Sequence, residues 1–521
     1  MRKFFVFSIF LIGFFLFSAN IWGLSIYSLD EAKNATCAKE MIQRGDYIVP
    51  TFNYELRTDK PPMHYYFMIL AYKLFGFNEF SARIFSSIFG LLTLILTFWF
   101  AKKTLGYKTA VLSSIVLISS LHTALQFHMA VPDPYLIFYL NGVFFSFYLW
   151  FKERKDRFLY AFYIFMGLGV LTKGPVAVVL PSLIVLLFLF FTHSFNLNTL
   201  KHLKIPTGLF ITAIVSLPWY IAVGLKTNWV WLQDFIFKHN ISRFSSPMEG
   251  HGGLFILTFL FVFFGLLPFS VFVFQSFIKV WKDKYKDVLV YLALVVIVYV
   301  GFFSISGTKL PNYTTPVYPS MAVILGYFFA NLTKENIKVF RLNWSVLVFI
   351  AISIFISIGV YIALKNEKVL SDISYVGFIF LLWTLGGILA YIFLSNKRIY
   401  LLFSSLSLLS IVVIVLFFFY AFVKIDKRNP VVVMLPLIDK EKPIAYYRGF
   451  NPAFAFYLGT PIPKLKTVED VKNFLNKNER VYILTRKKYL KDLKNIKNLK
   501  VISIRKDLFE KTTSVLISNR D

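Results

Sequence analysis

One stretch of this chain, residues 25–82, gathers groups capable of acid–base and anion chemistry inside an otherwise apolar sequence. It opens with Ser28-Leu29-Asp30-Glu31 and later carries Asp59-Lys60-Pro61-Pro62, followed directly by His64, Tyr65 and Tyr66. Ser28 with Glu31 three residues on has the form of a capping box. Ala35, Ala38, Met41 and Ile42 then recur at helical spacing until Gly45 ends the run. The pattern predicts an amphipathic surface helix with Asp30 and Glu31 in its first turn, where the helix dipole favours ionised carboxylates. Plain capping is the alternative reading of the pair. Further along, Asp133 falls in a tight segment between apolar blocks, and Lys173, Arg243 and Lys309 are isolated cations. Ionisable groups beside apolar spans are expensive and tend to mark a site. Asp30, Glu31 and Asp133 are the candidate catalytic carboxylates, as base or as partner to positive charge developing on a sugar. Lys60, Lys173, Arg243 and Lys309 suit a phosphate or pyrophosphate.

These groups have to be held by a membrane scaffold. The chain has 521 residues, 57% hydrophobic and only 16% charged. Its apolar residues come in blocks of roughly 18 to 25, long enough to cross a bilayer of about 30 Å as helices. Thirteen spans are expected, at roughly 4–24, 83–101, 109–126, 135–151, 158–172, 175–192, 205–225, 254–278, 287–305, 312–332, 343–364, 374–395 and 399–424. The first reads as a spanning helix rather than a signal peptide, because Trp22, Ser25 and Tyr27 make a poor cleavage site.

Lysine and arginine cluster in alternate short loops, including 102–108, 152–157, 279–286, 333–342 and 396–398, while the intervening loops are nearly bare of them. By the positive-inside rule the N-terminus is cytoplasmic, and 25–82 and 226–253 are the two long outer loops. The net charge of +29 is then largely a topology signal, and nucleic acid is excluded as a partner. The one cysteine, Cys37, rules out an intrachain disulfide. Residues 1–425 form the membrane domain. An odd number of spans leaves 426–521 outside, where Pro443–Tyr447, Val481–Leu484 and Val501–Ile504 read as strands and Val468–Leu475 as a helix. That composition predicts a small α/β domain, serving as a lid, a headgroup-docking module or a stabilising cap.

The residues resemble a known family. Tyr27-Ser28-Leu29-Asp30-Glu31, Gly45-Asp46-Tyr47-Ile48-Val49-Pro50 and Lys60-Pro61-Pro62 are similar to the first periplasmic loop of the lipid A aminoarabinose transferases. Those enzymes group with the protein O-mannosyltransferases among the GT-C glycosyltransferases. The likeness continues through Phe75-Gly76, Arg83, Leu171-Thr172-Lys173-Gly174-Pro175, His239, Arg243-Phe244, Ser304-Ile305-Ser306, Lys309-Leu310-Pro311 and Tyr313. It implies a GT-C fold and a sugar donor on undecaprenyl phosphate in a bacterial inner membrane. Asp30 would be the catalytic aspartate and Asp133 a second functional one. Lys60, Arg243, Lys309 and Tyr313 would contact donor phosphate or substrate. The resemblance also implies a divalent, zinc-like metal between Asp59 and His239. Here the residue before Lys60 is Asp rather than Glu, and His239 precedes Arg243 by four residues rather than three, so an ungapped match puts Asn240 at the histidine position.

The implied acceptor is lipid A or a related glycan; a protein hydroxyl, as in the mannosyltransferases, is the alternative. A secondary transporter is the rival class. It predicts two repeated halves with polar groups near mid-membrane. No such repeat is visible, and the polar groups gather towards one face.

Overall fold

The computed structural model describes residues 2–246 and 252–520; part of the second long outer loop, 247–251, lies outside the described residues. A helical bundle fills most of the chain. Among the described residues seven helices are long and apolar enough to cross a bilayer: Glu79–Leu105, Asp133–Glu153, Leu197–Lys226, Asp287–Ile305, Leu342–Asn366, Ser371–Ser395 and Ile399–Asp426. Two bent pairs raise the number to nine. The other four expected blocks fall outside this measure because their helices are shorter, as in Arg2–Phe17, Val176–Phe191 and Tyr318–Ala330, or more charged, as in Asp156–Lys173. The 109–126 block breaks by 70° between Ile118 and Leu121, and the 254–278 block bends by 116° around Pro268. The first block is helical only over Arg2–Phe17 (α1), and the 312–332 block begins as a 3₁₀ turn, Pro311–Val317, before Tyr318–Ala330. Proline and paired serines remove or compete for backbone hydrogen bonds, so one apolar block need not be one straight helix.

Lipid tails are as apolar as leucine, so helices in a bilayer associate through close packing. Gly326 shows how: a Cβ there would lie 2.7 Å from the Ser113 amide nitrogen, so only glycine lets these two backbones approach so closely.

The segment between the first two spans is folded into three pieces. Leu29–Arg44 (α2) ends at Gly45, whose left-handed φ of 65° lets its N–H return to Ile42 O. A short hairpin follows, Thr51–Phe52 (β1) with Glu55–Leu56 (β2), turning on Asn53 and Tyr54, both at positive φ. Buried Glu40 holds that turn by accepting from Thr51 Oγ1 at 2.6 Å and Tyr54 N at 3.1 Å. Met63–Phe75 (α3) then leads into Glu79–Leu105 (α4).

Residues 444–518 hold a mixed five-stranded sheet: Ile444–Tyr447 (β3), Lys464–Leu465 (β4), Tyr482–Arg486 (β5), Lys500–Lys506 (β6) and Thr513–Ser518 (β7). The order is β4-β3-β5-β7-β6, with β3 parallel to β4 and β5, and β7 antiparallel to β5 and β6. The helix Val468–Leu475 starts at a complete capping box, Thr467 with Asp470. This unit sits directly on the α2 region. Asn53 exchanges two hydrogen bonds with Ile462, at 3.0 and 2.9 Å. Lys39 donates to Phe456 O at 3.2 Å, and the Tyr27 hydroxyl accepts from Leu508 N at 2.8 Å. One apolar cluster, including Ala35, Met41, Tyr65, Phe454 and Leu516, runs through both.

Candidate active site

The capping box predicted at Ser28 does not form. Ser28 occupies the N-cap position without a side-chain bond, and Glu31 turns inward instead. Glu31 is buried and takes a two-pronged ion pair from Arg83 of α4, at 2.7 and 2.9 Å. Arg83 also donates to Ile21 O, Leu24 O and Ser25 O. A buried guanidinium needs all its donors filled, and that demand outweighs a surface cap worth about 1 kcal/mol. Asp30, one residue earlier, is exposed.

From this anchor α2 reaches two strips of chain. Glu31 accepts from Ala130 N at 2.9 Å, while Asn34 Nδ2 donates to Ala130 O at 3.3 Å; this fixes the peptide just before Pro132-Asp133. The Asn34 amide oxygen accepts from Arg57 at 2.9 Å, and Arg57 forks onto both oxygens of Asp59, at 2.6 and 3.1 Å. Trp231 Nε1 closes on Arg57 O at 2.8 Å. Arg57 therefore joins α2, the Asp59-Lys60 strip and the segment after Lys226. It was not among the residues the sequence singled out; only its position two residues before Asp59 hinted at it.

Beside this junction is a cavity of about 490 Å³. Lys60, Lys173, Arg243 and Tyr313 line its polar end, together with Asp59 and His239. Val176, Val179, Phe302 and Phe303 line its apolar part. Among the described residues its lining holds three cations and one carboxylate, Asp59, which Arg57 grips from behind. Burial opposes ionisation of Asp59, but the Arg57 guanidinium overcomes it and holds the carboxyl well below the usual range. Burial pushes His239 the other way, down from its ordinary value, so the ring is neutral at pH 7. Thr58 Oγ1 stands 3.3 Å from both His239 Nε2 and Asp234 Oδ2.

Local sequence explains how each cation is presented. Pro61 keeps Lys60 from joining the following helix. Gly174 has φ +86°, and a Cβ there would strike the Phe235 ring at 2.6 Å, so glycine is required directly after Lys173. Asp234–Ser242 is a π-helix, in which both His239 and Asn240 face the cavity.

The expected constellation divides. Lys60, Lys173, Arg243, Tyr313, Asp59 and His239 meet on the cavity. Asp30, Glu31, Asp133 and Lys309 are not part of its lining. Asp133 is buried behind the cavity, paired with Lys173 at 2.6 Å and accepting from Asn312 at 3.0 Å. Lys173 also lies 5.1 Å from the Tyr313 ring centroid. Lys309 turns back to donate to Ser306 O at 2.6 Å, and Ser306 is a lining residue. Asn312, Thr58 and Phe235 belong to the site and carried no signal that sequence reasoning used.

The expected metal pair finds limited support. Among the described residues no group of three or more His, Cys, Asp or Glu is placed to hold an ion. Both Asp59 oxygens are occupied by Arg57, and Lys60 adjoins them. Two donors with adjacent cations do not fit a resident divalent metal, and no step below depends on one.

An apolar groove ending in clustered cations, set among membrane-spanning helices, defines a polytopic membrane protein with a cavity of a kind that suits an amphiphilic anion. Comparison with known proteins gives that class a family. A family model described as dolichyl-phosphate-mannose-protein mannosyltransferase matches residues 59–221. An uncharacterized protein of Aquifex aeolicus (strain VF5) is 32% identical over 358 residues, which is 68% of this chain and 79% of that one. The undecaprenyl phosphate-alpha-4-amino-4-deoxy-L-arabinose arabinosyl transferase of Aeromonas salmonicida (strain A449) is 29% identical over 325 residues, or 61% of this chain and 59% of that one. This chain's match thus spans less than two thirds of the latter's length. The crystal structure of ArnT from Cupriavidus metallidurans bound to undecaprenyl phosphate shares the fold, with a TM-score of 0.83 at 17% identity over 100% of this chain and 99% of that one. The chain belongs to the GT-C glycosyltransferases of the lipid A aminoarabinose transferase and protein mannosyltransferase type.

Proposed function

We propose that the protein transfers a sugar from a polyprenyl phosphate, of the undecaprenyl kind, to an acceptor at the outer face of a bacterial inner membrane. The observation that carries this reading is the two-part cavity. Its aromatic and aliphatic part suits a polyprenyl chain, and Lys60, Lys173 and Arg243 suit the phosphate. In a water-poor groove these cations stabilise charge building on the leaving phosphate more strongly than they would in water. The acceptor oxygen attacks the anomeric carbon on the face opposite the phosphate. The C–O bond to the carrier breaks, its electron pair stays on the phosphate, and the anomeric configuration inverts.

The acceptor reading favours a phosphate group, as on lipid A, over a hydroxyl. Asp59 is the one carboxylate among the described lining residues, and Arg57 makes it a poor proton acceptor. A phosphate acceptor is already ionised and needs no base. Asp30, exposed at the start of α2, then orients the acceptor and supports positive charge on the sugar; with a hydroxyl acceptor it must take the proton.

The test is to incubate purified protein with undecaprenyl-phosphate sugars and with phosphate-bearing or hydroxyl acceptors. Product with inverted configuration, lost in Lys60→Ala, is expected. Absence of transfer from every polyprenyl-phosphate sugar, together with substrate uptake into sealed vesicles lacking acceptor, would replace this reading with transport.

A further inference from the structure

A second cavity, of about 480 Å³, lies between the helix Val273–Lys282 and the turn that enters Leu342–Asn366. Phe340 is buried at its base, Phe274, Ile278 and Trp344 form its walls, and Lys282 and Arg341 stand at its rim. It is remote from the sugar-transfer cavity. Phe302 and Phe303, which line the latter, end the helix Asp287–Ile305, whereas Lys282 precedes that helix's start. At 1.5 Å per residue the 19-residue helix separates the two ends by about 28 Å, roughly one hydrocarbon thickness. The second cavity therefore faces the opposite membrane surface, the one to which lysine and arginine segregate.

Three features give this cavity a ligand chemistry. The first is uncompensated charge. Asp283, the adjacent carboxylate, is already held by Lys279 at 3.0 Å and by the Tyr327 hydroxyl at 2.5 Å. Among the described residues neither Lys282 nor Arg341 has an ion-pair partner. Lys282 Nζ is instead poised 5.2 Å from the Phe340 ring centroid, which leaves donors for an anion. The second is an unmet acceptor: Gln275 lines the cavity and donates to Ser345 Oγ at 2.6 Å, yet its buried amide oxygen has no hydrogen-bond partner. The third is apolar surface for acyl chains, since Phe274 is 65% and Trp344 67% exposed.

We infer that this cavity is a binding site for an anionic diacyl phospholipid with a hydroxyl-bearing headgroup, of the phosphatidylglycerol type. Lys282 and Arg341 take the phosphate, the Gln275 amide turns outward so that its unpaired oxygen accepts from a headgroup hydroxyl, and the acyl chains lie over Phe274, Ile278 and Trp344. A choline headgroup fits poorly, because it has no hydroxyl to donate and sets its own cation beside Lys282 and Arg341. Basic pockets between transmembrane helices bind anionic headgroups in this way.

The test titrates the purified full chain, in neutral detergent, with phosphatidylglycerol or phosphatidylcholine and counts bound lipid by native mass spectrometry. Wild type is expected to prefer phosphatidylglycerol by about tenfold. Lys282→Gln/Arg341→Gln, at two exposed positions, is expected to lose that preference with an unchanged unfolding temperature. Lys334→Gln/Lys338→Gln removes the same charge outside the cavity and is expected to keep it. Equal binding of the two lipids by wild type would overturn the inference. So would equal losses in the two double variants, since general surface charge would then account for the effect.

Discussion

The sugar-transfer cavity and the wall behind it handle charge in opposite ways. In the wall each carboxylate has its own cation: Glu31 with Arg83, Asp59 with Arg57, Asp133 with Lys173. In the lining Asp59 and Lys173 recur, and Lys60 and Arg243 join them with no further carboxylate among the described residues. Neutralised pairs can be buried and made rigid, so the wall positions. The lining opens onto an apolar groove, so under the proposed function it is the half that meets the ligand. Of the adjacent residues Asp30 and Glu31 only Glu31 belongs to the wall, sealed against Arg83; Asp30 is exposed and outside the cavity lining.

The contrast is broken most forcefully at Arg83. Arg83→Met leaves Glu31 buried without its partner and should cost about 3–5 kcal/mol of stability. Thermal unfolding in detergent measures this, and an unchanged midpoint would remove the anchor assigned to Glu31. Next comes the lining. Lys60→Ala or Arg243→Ala should lower kcat by about 10²–10³-fold, the usual result of removing one group that stabilises developing negative charge. The unfolding temperature should hardly move, which separates binding residues from positioning ones. A smaller effect is expected at Asp30. Asp30→Asn should change stability by no more than about 0.5 kcal/mol, as is usual for an exposed site. It should slow transfer to a hydroxyl acceptor by about 10²-fold and to a phosphate acceptor by less. Comparing the two rates directly tests whether a base is needed.

The smallest effect is a pH dependence. His239 has a depressed folded-state pKa, so the unfolded chain binds its proton more readily. Its contribution to stability is complete above the ordinary histidine value, near about 6.5, and is lost as pH falls below it. Wild type should lose stability relative to His239→Gln as pH falls below about 6.5. A constant gap from pH 7 to pH 5 would show that the ring does not titrate as its burial requires.

Much of the binding half of the site was legible. Lys60, Lys173 and Arg243 stand out in sequence because charge beside apolar spans is conspicuous, Tyr313 was indicated by the family resemblance alone, and all four meet on the cavity. The positioning half was far less visible. Glu31 looked like a cap because its spacing from Ser28 is local, whereas its true partner is 52 residues away. Arg57 passed unnoticed because its importance lies in three contacts from separate parts of the chain. Lys309 matched by neighbouring residues, yet its side chain folds back onto Ser306 O. The shape of the spans was hidden for a related reason: hydropathy records which residues tolerate lipid, but not where a helix bends near Pro268.

By itself the sequence determined the solvent this protein lives in, the face to which its cations segregate and the kinds of groups available for an anionic ligand. Those are properties of composition and order, because transfer into a bilayer depends on each residue almost independently. Only the tertiary structure decided which charges are spent on one another and which are left for a ligand. That choice follows from distance in a medium of low dielectric constant, where a carboxylate pairs with whichever cation the fold brings within about 3 Å.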